Sequence, residues 1–183
     1  NVLEMFQEKW ARGYIMQKLL EPHPEVAALV GNRLSSLRII VLLTNDGPVI
    51  FRAVWKLPTG RNMSDNFMHG ETGNLIANVD LGTGLIGHAV TGVGANIRRV
   101  EHHPDTGLPL SNSRVPLWEE TRNLVMAGAS LFPGLRMQHW DVALCPEGPV
   151  ALEVNVEGSL DLHQLAGSKG IHDETMRRLT DGR

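Results

Sequence analysis

The most informative stretch of this chain is Asp141-Val-Ala-Leu-Cys-Pro-Glu-Gly-Pro-Val-Ala-Leu-Glu153-Val-Asn155. Two short apolar runs flank its Pro-Glu-Gly turn, which is typical of a β-hairpin. Because side chains alternate along a strand, Glu153 and Asn155 lie on the same face, and the hairpin can bring Asp141 opposite them. Two carboxylates and an amide oxygen would then converge from adjacent strands.

These three oxygen donors suit Mg²⁺, which prefers hard oxygen ligands and keeps several water or phosphate ligands besides its few protein oxygens. The alternative interpretation is a solvated strand face that carries acids by chance. For an isolated Glu-x-Asn pattern that alternative is the more common case, so the choice depends on the rest of the chain.

Further hairpins are predicted upstream of this stretch. The Asp46-Gly47 turn between the apolar runs 37–43 and 49–56 is the strongest short-range signal of the first half. The remaining predicted elements are strands at 14–20, 75–80 and 85–90 and helices at 2–11, 24–30, 116–131, 162–166 and 173–179. Hairpin strands with segregated helices indicate an α+β domain built on an antiparallel sheet.

Composition narrows the class of protein. The 183 residues are 42% hydrophobic, which allows one ordinary domain or a sizeable part of a larger one. The net charge of −3 argues against a nucleic-acid partner, and no apolar run approaches the roughly 20 residues of a membrane helix. The single cysteine, Cys145, excludes an internal disulfide and fits a reducing cytosol. The chain opens at Asn1 within a helical pattern, so we expect residues upstream.

Two cations interrupt or end the apolar strands of the first half. Arg38 lies inside the run 37–43, where an unpaired charge would be expensive. It is either an edge-strand residue with its head in solvent or a phosphate ligand, since guanidinium matches phosphate geometry. Lys56, taken alone, is typical of a surface lysine. Asn66 opens a glycine loop that could present N–H groups to phosphate or simply turn the chain.

Taken in order, these pieces resemble the C-terminal part of the ATP-grasp superfamily. The resemblance covers nearly the whole chain and is closest to the sugar-transfer-associated branch, with the protein glutamate ligases as more distant relatives. It rests on Leu37-Arg38-Ile39-Ile40, Arg52-Ala53-Val54-Trp55-Lys56, Ser64-Asp65-Asn66-Phe67, Val79-Asp80-Leu81-Gly82-Thr83-Gly84, His103-Pro104-Asp105-Thr106-Gly107, Arg114-Val115-Pro116-Leu117-Trp118, His139-Trp140-Asp141-Val142-Ala143 and Glu153-Val154-Asn155.

The resemblance implies a single partial ATP-grasp domain over residues 1–183. Residues 1–22 would form the inter-lobe hinge region, and 23–183 the C-terminal lobe, an antiparallel sheet flanked by helices. The superfamily's N-terminal lobe, with its phosphate-binding lysines, would be largely absent. We therefore expect weak or no turnover from these residues alone.

The resemblance also implies a site for two Mg²⁺ ions. Their ligands would be Asp141, Glu153 and Asn155, with Glu153 bridging the ions. Arg38 would neutralise the γ-phosphate and the acyl-phosphate that it becomes. Lys56 stands where relatives carry a basic residue near that same group, so both cations are expected to be catalytic.

ATP itself would contact further residues. Asn66 matches a polar position close to the phosphates or the acceptor. The strand that holds adenine in relatives corresponds to Gln17, Leu19 and Leu20. Gln17 would replace the usual acid that faces the adenine amine, which keeps a side-chain oxygen as acceptor. Backbone groups of Leu19 and Leu20 would complete the recognition.

The implied reaction is ATP- and Mg²⁺-dependent ligation of a small-molecule carboxylate to an amine or another nucleophile through an acyl-phosphate. We expect a cytoplasmic location and a setting in cell-surface polysaccharide biosynthesis, with no nucleic-acid partner. Three alternatives stay open: a glycan- or peptide-binding module that would tolerate loss of Glu153, a Mg²⁺-dependent phosphotransferase, and a divalent-metal hydrolase using His102, His103 and Asp105. The last is disfavoured because adjacent strand residues face opposite sides.

Overall fold

The computed structural model describes residues 17–181. Its strands are β1 Ser36–Thr44, β2 Gly47–Leu57, β3 Leu75–Val79, β4 Ile86–Thr91, β5 Arg98–Val100, β6 Met137–Cys145 and β7 Gly148–Asn155. Its α-helices are α1 Pro24–Val30, α2 Trp118–Ala129, α3 Asp161–Gly167 and α4 Glu174–Asp181, with short 3-10 turns at Met68–Gly70 and Gly94–Asn96. This arrangement confirms the predicted α+β class.

All seven strands form one sheet in the order β5-β4-β3-β2-β1-β6-β7. Each neighbouring pair is antiparallel, so β1 to β5 form a meander and the β6–β7 hairpin is added to the other edge of β1. Because β1 lies between β2 and β6, Arg38 is on an interior strand. The edge-strand interpretation of Arg38 is therefore wrong.

One face of the sheet carries the main hydrophobic core, covered by α1 and α2. Its central side chains are Leu37, Ile39, Trp55, Val142 and Leu144, all nearly inaccessible to solvent. Burying each such side chain contributes about 1.5–3 kcal/mol. Pro in the first turn starts α1, and Gly31, at φ +78, follows its last residue.

Helix α2 is shorter than the predicted helix at 116–131. It begins at Trp118, after Leu117 at φ +54, and ends at Ala129. Leu131, the last residue of the predicted helix, therefore lies beyond the helix together with Phe132, and both are exposed. Near its end, a Cβ on Gly128 would lie 2.7 Å from the Trp140 ring, so glycine allows this close packing.

The opposite face is covered by α3 and α4. Side chains of α3 pack against Val54, Phe67 and Ile76, and Met176 of α4 packs against Ile40 and its neighbours. This face also carries Arg38, Lys56 and Asp141, because strand residues two apart share a face. The candidate site therefore lies on the sheet face against which the two C-terminal helices pack.

The predicted strand at 14–20 is wrong for residues 17–20, which have no strand pairing. The edges of the sheet are β5 and β7, and neither pairs with this segment. Leu19 is 87% exposed there. The predicted helix at 2–11 lies outside the described residues. Within 17–181, no helix combines the length and hydropathy needed to cross a membrane.

Candidate functional site

The predicted β6–β7 hairpin is present and places Asp141 directly opposite Glu153. Asn155 lies opposite His139, and its Nδ2 donates to Glu153 Oε1 at 2.9 Å. The pairing shifts between Asp141 and Val142, so a β-bulge, a feature common next to functional sites, lies beside the acids. The hairpin thus brings two carboxylates and an amide onto one face. Their role as metal ligands stays a prediction.

Two cations face Asp141, the buried Lys56 and the half-buried Arg38. Arg38, opposite Asp141 on β1, donates from Nε and Nη2 to the two carboxylate oxygens, the second at 2.9 Å. Lys56 on β2 places Nζ 3.1 Å from Asp141 Oδ2. Lys56 is 3% exposed and Asp141 6% exposed. The surface-lysine interpretation is therefore wrong, and a solvated face describes Glu153 but not Asp141.

Asp65 completes a charge cluster of four side chains, Arg38, Lys56, Asp65 and Asp141. Its Oδ1 lies 3.3 Å from Lys56 Nζ. Its Oδ2 accepts from both the N–H and the Oγ of Ser36, each at 2.7 Å. Two cations and two anions cancel formally, and buried charges are tolerated only when they are paired and hydrogen-bonded in this way.

The charge cluster keeps Asp141 ionised. Burial by itself raises the pKa of this carboxyl, but the hydrogen bond from Arg38 and the charge of Lys56 outweigh burial and lower the pKa of Asp141. An ionised carboxylate is the form that binds a metal ion. In this structure both of its oxygens accept from the cations instead.

Two buried histidines adjoin the charge cluster on the same face. Burial, with the Arg38 charge nearby, lowers the pKa of His139 to about 4. Burial, with His139 and Arg38, lowers the pKa of His163 to about 3, so both rings are neutral at physiological pH. Within residues 17–181, His139 Nδ1 and both nitrogens of His163 lack a hydrogen-bond partner. A Cβ on Gly158 would lie 2.2 Å from His139 Nδ1, so only glycine fits there.

A loop that is bonded to α3 forms the rim of this face. His69 Nδ1 lies 2.7 Å from Asp161 Oδ2, and Ser159 Oγ donates to the other carboxylate oxygen. Burial raises the pKa of Asp161, but the hydrogen bonds from Ser159 and His69 outweigh it and lower that pKa. Met68 and His69 both have positive φ, which is strained for residues with a Cβ and frequent in functional loops.

Asn66 lies in the same loop, next to Asp65. Thr72 Oγ1 and Asn74 Nδ2 each donate to the Asn66 carbonyl at 2.8 Å. Buried Asn74 also accepts from the Thr59 N–H, so the loop is fixed from within. The Asn66 side chain is exposed beside the charge cluster. Its contact with phosphate or acceptor stays a prediction.

The predicted adenine-binding residues come shortly before the point where the chain meets β6. Gln17 and Leu19 are exposed and Leu20 is half-buried. The chain then joins the sheet, where the His23 N–H donates to the Leu144 carbonyl at 2.8 Å. Leu144 follows Asp141 by three residues, or about 10 Å along a strand. The chain thus meets β6 about 10 Å from Asp141, and the role of Gln17, Leu19 and Leu20 in adenine binding stays a prediction.

The alternative hydrolase site does not assemble. His103 is buried with Nε2 3.0 Å from the Pro58 carbonyl, whereas His102 is exposed. Asp105 pairs with Arg33 at 2.6 Å. Among the described residues, no group of three or more His, Cys, Asp or Glu is arranged to hold a metal ion. These loop residues therefore tie the loop to its neighbours.

Two other segments of the resemblance, 79–84 and 114–118, meet on the core face. Trp118 Nε1 donates to the Leu81 carbonyl at 3.2 Å, and the Val115 N–H donates to the Gly84 carbonyl at 2.9 Å. Arg114 lines two cavities of about 380 and 350 Å³ there, the second bounded by Trp55. Trp55 faces away from Lys56, so these cavities are on the other side of the sheet from the charge cluster.

The predicted metal ligands fit Mg²⁺ by their chemistry. Asp141, Glu153 and Asn155 offer only oxygen donors for this purpose, from adjacent strands. Two carboxylates and one amide leave ligand positions open for phosphate and water, as Mg²⁺ prefers.

Sequence reasoning did not single out Asp65, His139 or His163 as site residues. Asp65 had a signal, since it is an acid immediately before Asn66. His139 shares a strand face with Asp141, which also could have been seen from the alternation. Nothing in the spacing of His163 connects it with β6, because α3 reaches that strand only through the fold.

Comparison with protein families gives one match. A family model described as sugar-transfer associated ATP-grasp matches residues 7–179, which include all seven strands and the charge cluster. Comparisons with curated proteins and with solved structures give no significant match.

Proposed function

This chain belongs to the sugar-transfer associated ATP-grasp family, and from that membership we propose that it is an ATP- and Mg²⁺-dependent carboxylate ligase. A small-molecule carboxylate takes the γ-phosphoryl group of ATP, and an amine or another nucleophile then displaces phosphate from the acyl-phosphate. The observation that carries this proposal is the buried charge cluster. It combines an ionised carboxylate with two cations suited to phosphate.

Arg38 and Lys56 are the proposed catalytic cations. Phosphoryl transfer needs positioning and positive charge more than covalent help from the protein. The planar guanidinium of Arg38 can meet two phosphate oxygens, and the ammonium of Lys56 can meet a third. Both groups lie in a water-poor site, where electrostatic stabilisation is stronger than in bulk water.

Asp141, Glu153 and Asn155 would hold the two proposed Mg²⁺ ions. When bound, Mg²⁺ neutralises charge on the phosphate oxygens. Asp141 contributes a carboxylate that stays ionised well below neutral pH. Glu153, exposed on the edge strand, can turn toward a ligand without breaking a buried ion pair.

The remaining contacts of ATP are proposed at the hinge and the loop. Gln17, Leu19 and Leu20 would bind adenine, and Asn66 would contact the phosphates or the acceptor. The family description refers to sugar transfer, so we propose a sugar-linked acceptor and a setting in cell-surface polysaccharide biosynthesis. The reaction would occur in the cytoplasm, where ATP is supplied.

Product analysis of the natural full-length protein tests this proposal. The protein is incubated with Mg²⁺, ATP and pools of small carboxylates, with hydroxylamine as acceptor. We expect carboxylate-dependent release of phosphate together with a hydroxamate. Glu153→Ala should abolish both, whereas Glu157→Ala, at an exposed acid outside the ligand set, should not.

Two other results would assign a different function. Phosphate retained on the substrate, with no hydroxamate, would indicate a phosphotransferase. Glycan or peptide binding that needs neither nucleotide nor Glu153 would indicate a binding module.

A further inference from the structure

Lys56 lies between two carboxylates, and only one of them belongs to the proposed metal site. Its Nζ is 3.1 Å from Asp141 Oδ2 and 3.3 Å from Asp65 Oδ1. Asp65 is itself fixed, because the N–H and Oγ of Ser36 both donate to its Oδ2. Lys56 is therefore attached to β1 through Asp65, independently of Asp141.

Charge balance makes metal binding to Asp141 unfavourable while the cations stay in place. The charge cluster is formally neutral, so a divalent ion on Asp141 would add two positive charges beside Arg38 and Lys56. Uncompensated charge is costly in a buried site. The ion would also have to displace the N–H donors that already occupy both oxygens of Asp141.

A nucleotide polyphosphate removes both obstacles. Its oxygens can accept from Arg38 and Lys56 and so free Asp141, and its negative charge balances that of the metal ion. An ammonium group has three N–H donors. Lys56 can therefore turn one donor from Asp141 to a phosphate oxygen and keep another on Asp65.

We propose that Asp65 is a positioning residue for Lys56. It retains the ammonium group in the site while Lys56 exchanges Asp141 for nucleotide phosphate, so that a metal ion reaches Asp141 only together with the nucleotide. This inference rests on the proposed function, because it requires phosphate and metal in the same site. The role of Asp65 is thus distinct from metal binding and from direct contact with phosphate.

Binding of Mn²⁺ as a spectroscopic substitute for Mg²⁺ tests the inference without any turnover. Free Mn²⁺ is measured by electron paramagnetic resonance, with and without a non-hydrolysable ATP analogue. In the natural protein we expect the analogue to tighten Mn²⁺ binding by about tenfold or more. In Lys56→Met the charge cluster has one net negative charge and Arg38 is the remaining cation on Asp141, so Mn²⁺ alone should bind about tenfold more tightly than to the natural protein.

Asp65→Asn separates a positioning role from a merely structural one. Lys56 then still pairs with Asp141, so Mn²⁺ alone should bind no more tightly than to the natural protein. The analogue should bind about fivefold or more weakly, because the ammonium is no longer held at the phosphates. Asp65→Glu should restore analogue binding. Asp105→Asn, at a carboxylate paired with Arg33 in another loop, is the matched control and should change neither affinity.

Several results would overturn the inference. One is analogue binding by Asp65→Asn equal to that of the natural protein, and another is unchanged Mn²⁺ affinity in Lys56→Met. Tight Mn²⁺ binding to the natural protein without nucleotide would also overturn the inference. Absence of analogue binding to the natural protein contradicts the proposed function instead. In that case the Mn²⁺ affinities of the natural protein and Lys56→Met, measured without nucleotide, still show whether Lys56 hinders metal binding to Asp141.

Discussion

Asp141 and Glu153 are opposite each other on the hairpin, yet their charges have different surroundings. Asp141 is buried and accepts from Arg38 and Lys56 on two neighbouring strands. Glu153 is exposed on the edge strand, and its described partner is the amide of Asn155. Asp141 therefore supports the fold as well as the site, whereas Glu153 is available to a ligand.

Asp141→Asn and Glu153→Gln should separate these two roles in stability. Removing the Asp141 charge leaves half-buried Arg38 without this anion and buried Lys56 with Asp65 alone, which should cost about 3 kcal/mol or more. Glu153→Gln should change the free energy of unfolding by less than about 0.5 kcal/mol, as is usual for an exposed residue. Urea unfolding of both variants measures the difference. Equal small losses would show that Asp141 is not a structural charge.

The buried histidines predict an acid-sensitive fold. The pKa values of His163 and His139, about 3 and about 4, are below the ordinary value of 6.5. The unfolded state therefore binds more protons in this range, and the free energy of unfolding falls as the pH drops from about 6.5 towards 4. Asp141 adds nothing in this window, because its lowered pKa moves its own loss of stabilisation to more acid pH.

His163→Leu should flatten this pH dependence. It removes one buried titrating group and two buried nitrogens that lack partners. At about pH 5 the variant should be more stable than the natural protein, whereas exposed His102→Gln should behave like the natural protein. Urea unfolding between about pH 7 and 5 measures this. A slope that His163→Leu leaves unchanged would mean that the ring is not buried and neutral.

At the scale of elements, the β3–β4 turn fixes the start of α2. Gly84 has φ +73, and a Cβ there would lie 2.6 Å from the Trp118 ring. The Gly84 carbonyl also accepts from the Val115 N–H just before the helix. A turn and a helix start are thus packed without room for a side chain.

Gly84→Ala should cost about 2 kcal/mol or more, because it combines overpacking with an unfavourable φ. Gly82→Ala is the matched control in the same turn. Its Cβ would meet only Asp80 Oδ1 at an ordinary 3.5 Å, so the loss should be below about 0.5 kcal/mol. Thermal unfolding followed by circular dichroism compares them. Similar midpoints for both variants would contradict the packing argument.

Elements with local signals were predictable, and those that depend on distant packing were not. The hairpins β1–β2 and β6–β7 follow from turn residues and alternating side chains, which also determine the strand register. The apolar pattern of 14–20 predicted a strand, but its described part, 17–20, has no strand pairing. Leu131 and Phe132 continue the apolar pattern of α2, yet the chain leaves the helix at Ala129.

At the scale of the whole molecule, the strand order assembles the site. β2, β1, β6 and β7 are neighbours, so Lys56, Arg38, Asp141 and Glu153 lie side by side on one face. Arg38 and Asp141 are 103 residues apart in the sequence. Residue types and family resemblance could predict each of these side chains individually as a site residue. Their pairing, and the position of Asp65 beside Lys56, depends on strand order, which no local spacing encodes.

Calorimetric binding of a non-hydrolysable ATP analogue tests the central claim most directly. The natural protein and Glu153→Ala are titrated with and without Mg²⁺. We predict Mg²⁺-dependent binding by the natural protein that Glu153→Ala weakens about tenfold or more, equivalent to about 1.4 kcal/mol. Binding that needs no Mg²⁺, binding that is equal in both proteins, or no binding by the natural protein would contradict a nucleotide and metal site on this hairpin.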